Sequence, residues 1–267
     1  MNNNDSSGTG RRRWMGSALA LGVGSVAGLP GCALGPRANE PEDSTEHPMV
    51  LPFSTGASGD MPDGWRPYAL RRDLAQTRYS LVSDGNRQVL HARARSAATG
   101  LRCAVRIDPQ RHPLLNFSWR VPRVPAQATV DTPERDDSPA RVIVAFDGDM
   151  ARLPLRDRLF FDQVELFTGQ KLPFAMLMYT WCAALPTETV VANHRTRRIQ
   201  YLTVESGDQH VGRWRHYQRD VQADYRRAFG EAPGDIISVG VLTDSDALKT
   251  DLEAWYGDIV LAPRAPA

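Results

Sequence analysis

Tyr79-Ser80-Leu81-Val82, the turn Ser83-Asp84-Gly85-Asn86 and the returning run Val89-Leu90-His91-Ala92-Arg93-Ala94 decide the fold class. Alternating apolar and polar residues put one face of each run toward a core, and an Asp-Gly turn between two such runs is a hairpin signal. Similar short runs recur on both sides of this hairpin, separated by turn clusters: Leu101 to Ile107, Leu114 to Val121, Ala140 to Phe146, Phe174 to Trp181, Ile199 to Val204, Trp214 to Tyr217, Ile236 to Leu242 and Trp255 to Leu261. About ten strands of this length predict a mainly β domain, a two-sheet antiparallel sandwich of jelly-roll style. Trp119, Tyr179, Val239 and Ile259 are expected in or beside its core. Two stretches break the β pattern. Leu155 to Phe167 has Leu155, Leu159, Val164 and Leu166 near helical spacing and ends at Gly169, while Asp220 to Phe229 ends at Gly230, so both are predicted helices.

Further upstream the chain changes character. Arg11, Arg12 and Arg13 precede an apolar, small-residue run that meets Cys32, which is the order of an export signal. The apolar part, Met15 to Leu29, is about 15 residues, short of the roughly 20 that a spanning helix needs. Leu29-Pro30-Gly31-Cys32 resembles a bacterial lipobox, which makes residues 1–32 an export signal and Cys32 the lipidation site. Cleavage after Ala33 is the competing reading. Arg11-Arg12-Arg13-Trp14-Met15 also fits a twin-arginine signal, with general secretion as its alternative. Residues 33–49 are rich in Pro, Glu, Asp, Ser and Thr and lack an apolar period, so they read as a flexible tether, leaving 50–263 as one β-sandwich domain. The expected location is the cell envelope, lipid-anchored in the periplasm or on the cell surface.

Composition narrows the function. With 32 basic and 31 acidic residues in 267, the net charge is +1, and the arginines are interspersed with acids, which argues against nucleic acid as a partner. No Gly-x-Ser-x-Gly elbow, phosphate-binding Gly-Lys loop or His-Glu-x-x-His pair occurs. The histidines His47, His91, His112, His194, His210 and His216 show no zinc spacing.

Several segments together resemble a bacterial family of exported proteins known as the domain of unknown function number 3047. They are Phe117-Ser118-Trp119-Arg120-Val121, Asp136-Asp137-Ser138-Pro139-Ala140-Arg141-Val142, Leu177-Met178-Tyr179-Thr180-Trp181, Val204-Glu205-Ser206-Gly207, Arg219-Asp220-Val221, Ala228-Phe229-Gly230-Glu231-Ala232-Pro233, Leu242-Thr243-Asp244-Ser245-Asp246 and Ala254-Trp255-Tyr256-Gly257-Asp258-Ile259. The resemblance covers Leu51 to Leu261. It implies a secreted β-sandwich similar in style to carbohydrate-binding jelly rolls, and it brings no catalytic residues. Members often follow the Thr-Asp-x-Asp stretch with Asn and a small residue, where Ala247-Leu248 stands here.

Four groups of residues carry the candidate chemistry. Asp131, Glu134, Asp136 and Asp137, with Asp244, Asp246 and Asp251, are oxygen-rich loop residues of the kind that hold calcium or simply cap turns. Arg141 stands close enough in sequence to orient or neutralise the first set. Trp181, Trp214, Trp255 and Tyr256 are candidate sugar platforms or core aromatics, and Trp65 is an edge or lid residue. Asp162 and Glu165 share a helical face, either as a glycosidase-like pair or as the wet side of the helix. Cys103 and Cys182 are either a disulfide, closing a loop of about 80 residues worth about 4 kcal/mol, or two buried thiols. The ligand-binding set expected at one end of the sandwich is Asp136, Asp137, Arg141, Trp181, Asp244, Asp246, Trp255 and Asp258. Three functions follow. The favoured one is an envelope binding module for a glycan or another extracytoplasmic ligand. The others are a carbohydrate-active hydrolase or lyase using loop carboxylates, and an envelope assembly protein. No cofactor is expected other than calcium.

Overall fold

Strand pairing across long sequence separations organises the computed structural model, which describes residues 46–68 and 74–265. The export signal, Cys32 and nearly all of the tether lie outside the described residues. The strands are β1 (Trp65–Tyr68), β2 (Arg78–Asp84), β3 (Arg87–Arg95), β4 (Gly100–Ile107), β5 (Leu114–Arg120), β6 (Ser138–Phe146), β7 (Ala175–Cys182), β8 (Val190–Ala192), β9 (Ile199–Ser206), β10 (Arg215–Asp220), β11 (Ile236–Asp244), β12 (Asp251–Tyr256) and β13 (Val260–Ala262). Two α-helices accompany them, α1 (Leu155–Thr168) and α2 (Val221–Phe229). The domain is mainly β.

The deciding hairpin forms as read. β2 and β3 pair in register from Arg78 opposite Arg93 to Asp84 opposite Arg87. Gly85, at φ 67°, takes the first place of the two-residue turn, where a primed turn needs glycine. A seven-stranded sheet runs β1-β4-β11-β6-β7-β9-β8, and a six-stranded sheet consists of β10-β5-β12-β3-β2 with β13 on β5. All pairs are antiparallel except β7 with β9, which run parallel. β1 and β8 were not among the expected strands, and the expected run Trp255 to Leu261 divides into β12 and β13 around Gly257.

Alternation along the strands builds the core. Leu90, Trp119, Val142, Tyr179, Val239 and Tyr256 point between the sheets and are fully buried, as is Ile259. A second apolar layer lies on the far side of the seven-stranded sheet, where Ala145, Met176, Met178 and Tyr201 meet Leu153, Phe161 and Leu172. The β6-β7-β9 part of that sheet is therefore covered on both faces, and every residue of β7 is buried.

Both helices stand where the sequence placed them and end on glycines in the left-handed region, Gly169 and Gly230. Asp220 caps α2 by accepting from the Gln222 and Ala223 amides. The inward face of α1 differs from the expected stripe. Asp157, Phe161 and Thr168 are buried, whereas Leu155, Leu159 and Leu166 are 63%, 58% and 79% exposed. Asp157 accepts a hydrogen bond from Thr196 at 2.8 Å, and this, with Phe161 in the second apolar layer, fixes the rotation of the helix.

Cys103 and Cys182 are two separate buried thiols. The disulfide alternative fails on topology: β11 and β6 lie between β4, which carries Cys103, and β7, which carries Cys182. Strands are about 4.8 Å apart, so the sulfurs cannot meet.

Candidate functional site

The expected recognition set separates into four places. Asp136, Asp137, Arg141, Asp244 and Asp246 come together where the loop before β6 meets the end of β11. Arg141 alternates with the core residues Ala140 and Val142, so its side chain leaves the outer face of the seven-stranded sheet, yet it is only 2% exposed. Its Nη2 donates to Asp136 Oδ1 at 2.6 Å and its Nη1 to Asp244 Oδ2 at 2.8 Å. Tyr201 donates its hydroxyl to Asp136 Oδ2 at 2.9 Å, and its ring lies under the Arg141 guanidinium. Asp137 accepts the amides of Ala247 and Leu248, each at 2.9 Å.

Carboxylate oxygens of Asp137, Asp244 and Asp246 lie within 4.8 Å of one another. Burial, and then the neighbouring Asp246 and Asp137 carboxylates, push the Asp244 carboxyl well above its usual range against the pull of Arg141. Burial raises Asp136 and Asp137 in the same direction. These are the oxygens a hard cation would meet, but Asp137 is already spent on two amides and Asp244 on Arg141. The chemistry available to the cluster is charge balance between one guanidinium and closely spaced carboxyls.

Trp181 and Asp258 stand elsewhere. Trp181 is fully buried, donates Nε1 to the Gly207 carbonyl at 2.9 Å and packs near Trp119 in the core, so no ring face is left for a sugar. Tyr256 is buried too, with its hydroxyl bonded to Leu242 and Thr243. Asp258 accepts the Phe53 and Ser54 amides at 2.7 and 2.9 Å, holding the 3-10 helix Phe53–Thr55 in place. Asp162 and Glu165 are exposed on α1, with Glu165 facing Lys171 at 3.9 Å.

Trp255 lies on the outer face of the six-stranded sheet, which no described helix covers. Register places Ser80, His91, Trp255 and Arg120 in one row across β2, β3, β12 and β5, all pointing away from the core. Trp214, immediately before β10, continues it. The planar groups stack: His91 on Trp255 with centroids 4.6 Å apart and planes 7° apart, then Arg120 over Trp255 at 4.7 Å and over Trp214 at 5.4 Å, then Arg87 over Trp214 at 4.2 Å. Cation–π contacts of this kind hold both guanidiniums in fixed planes.

Asp84 closes the ladder. It accepts Trp214 Nε1 at 2.7 Å and lies 3.1 Å from Arg120. Asp84 belongs to the edge strand β2 and Trp214 flanks the opposite edge strand, so the face curls across its full width. Val89 points outward beneath these groups and is fully covered. Glu253 meets both His91 at 3.3 Å and Arg93 at 3.2 Å, although burial still lowers the affinity of His91 for a proton. Of these residues only Trp214 and Trp255 were singled out from sequence as platform residues. The signal for the others is alternation: in Asp251-Leu252-Glu253-Ala254-Trp255-Tyr256 the small and apolar positions 252 and 254 point inward, which turns Trp255 out and Tyr256 in.

One further cluster was missed. Glu205 of β9 is 4% exposed and accepts from Tyr217 at 2.5 Å, Arg215 at 2.8 Å and His210 at 2.9 Å. These donors hold its carboxyl below its usual range despite burial. Arg215 and Tyr217 belong to β10, so the cluster pins the edges of the two sheets together.

A sequence family described as "Protein of unknown function (DUF3047)" matches residues 63–260. Among solved structures, similarity extends to a family 11 carbohydrate-binding module from Clostridium thermocellum in complex with a β-1,3-1,4-mixed-linked tetrasaccharide, at 8% identity, covering 82% of this chain and 97% of that one with a TM-score of 0.39. A family 30 carbohydrate-binding module of a Clostridium thermocellum cellulosomal cellulase is similar at 12% identity, 84% and 97% coverage and a TM-score of 0.36. An arabinose-bound GH51 α-L-arabinofuranosidase is similar at 9% identity and a TM-score of 0.38; the match covers 83% of this chain, which spans only 27% of that enzyme. No curated protein matches the chain.

Proposed function

Because the chain belongs to the family described as protein of unknown function DUF3047, its role has to be read from its own surface, and we propose that it binds a glycan on the open face of the six-stranded sheet. The observation that carries this reading is the outward row His91, Trp255, Arg120 and Trp214 on the face that no described helix covers. Glycans offer hydroxyl pairs and apolar C–H faces, and the row supplies both complements. Indole edges contribute apolar surface, while Arg120, His91, Asp84 and Glu253 contribute donors and acceptors at fixed spacing. The stacking immobilises these side chains before a ligand arrives, which limits the ordering cost of binding. The proposal extends to location: a module tethered to the cell envelope through Cys32 by residues 33–49, which rests on the arginine, apolar and cysteine order of residues 11–32. In that setting Cys32→Ser loses its lipid and leaves the membrane fraction, and unchanged retention would count against the anchor.

A glycan array probed with the domain tests the binding reading. Wild type retains one or more glycans, and Trp255→Ala weakens the retained one by about tenfold or more, the loss of about 1.4 kcal/mol or more that a central aromatic contact carries. Melting temperature, followed in parallel, separates loss of the surface from loss of the fold. Binding that survives in both Trp255→Ala and Trp214→Ala would move the site off this face.

A further inference from the structure

Hydrogen-bonding capacity left over on the ladder points to the class of ligand. Arg87 stacks over Trp214, yet its nearest carboxylate among the described residues, Asp84, is 4.0 Å away, beyond hydrogen-bond reach. Arg120 approaches Asp84 at 3.1 Å as an ion pair. Asp84 Oδ2 is already taken by the Trp214 indole. Two guanidiniums thus share one carboxylate, while both remain solvent-accessible, at 39% and 26% for their side chains. The wider face leans the same way: Arg78, Arg93 and Arg95 also project from it, against Asp251 and Glu253.

A guanidinium held in plane by an aromatic ring, with its N–H edge unspent and open to water, is organised for a planar or tetrahedral oxyanion, which it binds through paired charge-assisted hydrogen bonds. We propose that the glycan bound on this face is acidic, a polysaccharide carrying carboxylate or sulfate groups, with Arg87 and Arg120 as the anion-reading residues and the indole edges contacting the sugar ring. This inference rests on the glycan-binding reading and narrows it.

The test compares one sugar backbone with its charge present or masked. The intact domain is titrated with polygalacturonate and with fully methyl-esterified polygalacturonate, alongside alginate, chondroitin sulfate and the neutral polymers xylan and mixed-linkage glucan. At least one acidic polymer should bind about tenfold or more tightly than its masked or neutral counterpart. Arg87→Gln should remove most of that preference without shifting the melting temperature, because among the described residues Arg87 makes no side-chain hydrogen bond. Arg87→Lys, which keeps the charge but loses the paired donors, should fall in between. Arg95→Gln, equally basic but away from the ladder, should change affinity little; an equal loss there would reduce the effect to general charge attraction and overturn the assignment. Equal binding of acidic and neutral polymers, or binding of neutral polymers alone, overturns the acidic class while leaving the glycan reading intact. Binding to none of these polymers and to nothing on the array overturns both.

Discussion

Arg141 holds its place in the covered sheet because two carboxylates neutralise it there. Removing the guanidinium leaves Asp136 and Asp244 desolvated without a counter-charge, so Arg141→Ala is expected to cost about 3–5 kcal/mol in urea unfolding. A loss under about 1 kcal/mol would mean that the aspartates re-pair or hydrate easily. The Asp244 carboxyl is raised in the folded state by burial and by Asp246 and Asp137. Asp244 therefore takes up its proton at a higher pH in the folded protein than in the unfolded chain. The stabilisation is full below the ordinary value of 3.8 and is lost as pH rises through the higher folded value. Asp244→Asn removes this titration, so the stability of wild type relative to the variant should increase as pH falls from 7 toward 5; a difference that does not vary with pH contradicts the shift. Calcium or a chelator should leave the melting temperature unchanged, since Asp137 and Asp244 already have partners, and a rise with calcium would reassign the three aspartates to a cation. Much of this cluster was readable in the sequence, because acids and an arginine interrupting apolar strand ends must find one another or remain hydrated. Trp181 was not readable in the same way. An indole in an apolar strand fits a core and a platform equally well, and the choice came from the Gly207 carbonyl that accepts its N–H.

At the scale of elements, α1 shows where periodicity misleads. Leucines at 155, 159 and 166 make a credible stripe, but the buried side contains Asp157 and Thr168, polar residues whose burial depends on partners remote in sequence. Phe161→Ala should cost about 3–5 kcal/mol, whereas Leu159→Ala should stay within about 0.5 kcal/mol. Comparable losses at both positions would show that the helix sits rotated from its described pose. The hairpin β2–β3 was legible because everything that determines it is local: alternation and a Gly85 turn. β1 and β8 were not, being four and three residues long and depending on β4 and β9 for their existence.

For the whole molecule, the two sheets divide their tasks. One is covered on both faces over β6-β7-β9 and supplies rigidity; the other buries one face and displays the ladder. The mainly β architecture and the core residues Trp119, Tyr179, Val239 and Ile259 followed from alternation, but the strand order did not, since partners chosen across more than a hundred residues leave no local mark. That order has a consequence for synthesis. β12, residues 251–256, lies between β3 and β5 and is the only described strand joining β10-β5 to β3-β2. Until it is available the smaller sheet consists of two separate strand pairs, each marginal in water on its own. A nascent chain stalled at Thr250 should therefore remain open to protease, while a chain that includes β12 and β13 becomes resistant. Closure of the smaller sheet must wait until β12 has been made, and long-range pairing makes that closing step slow.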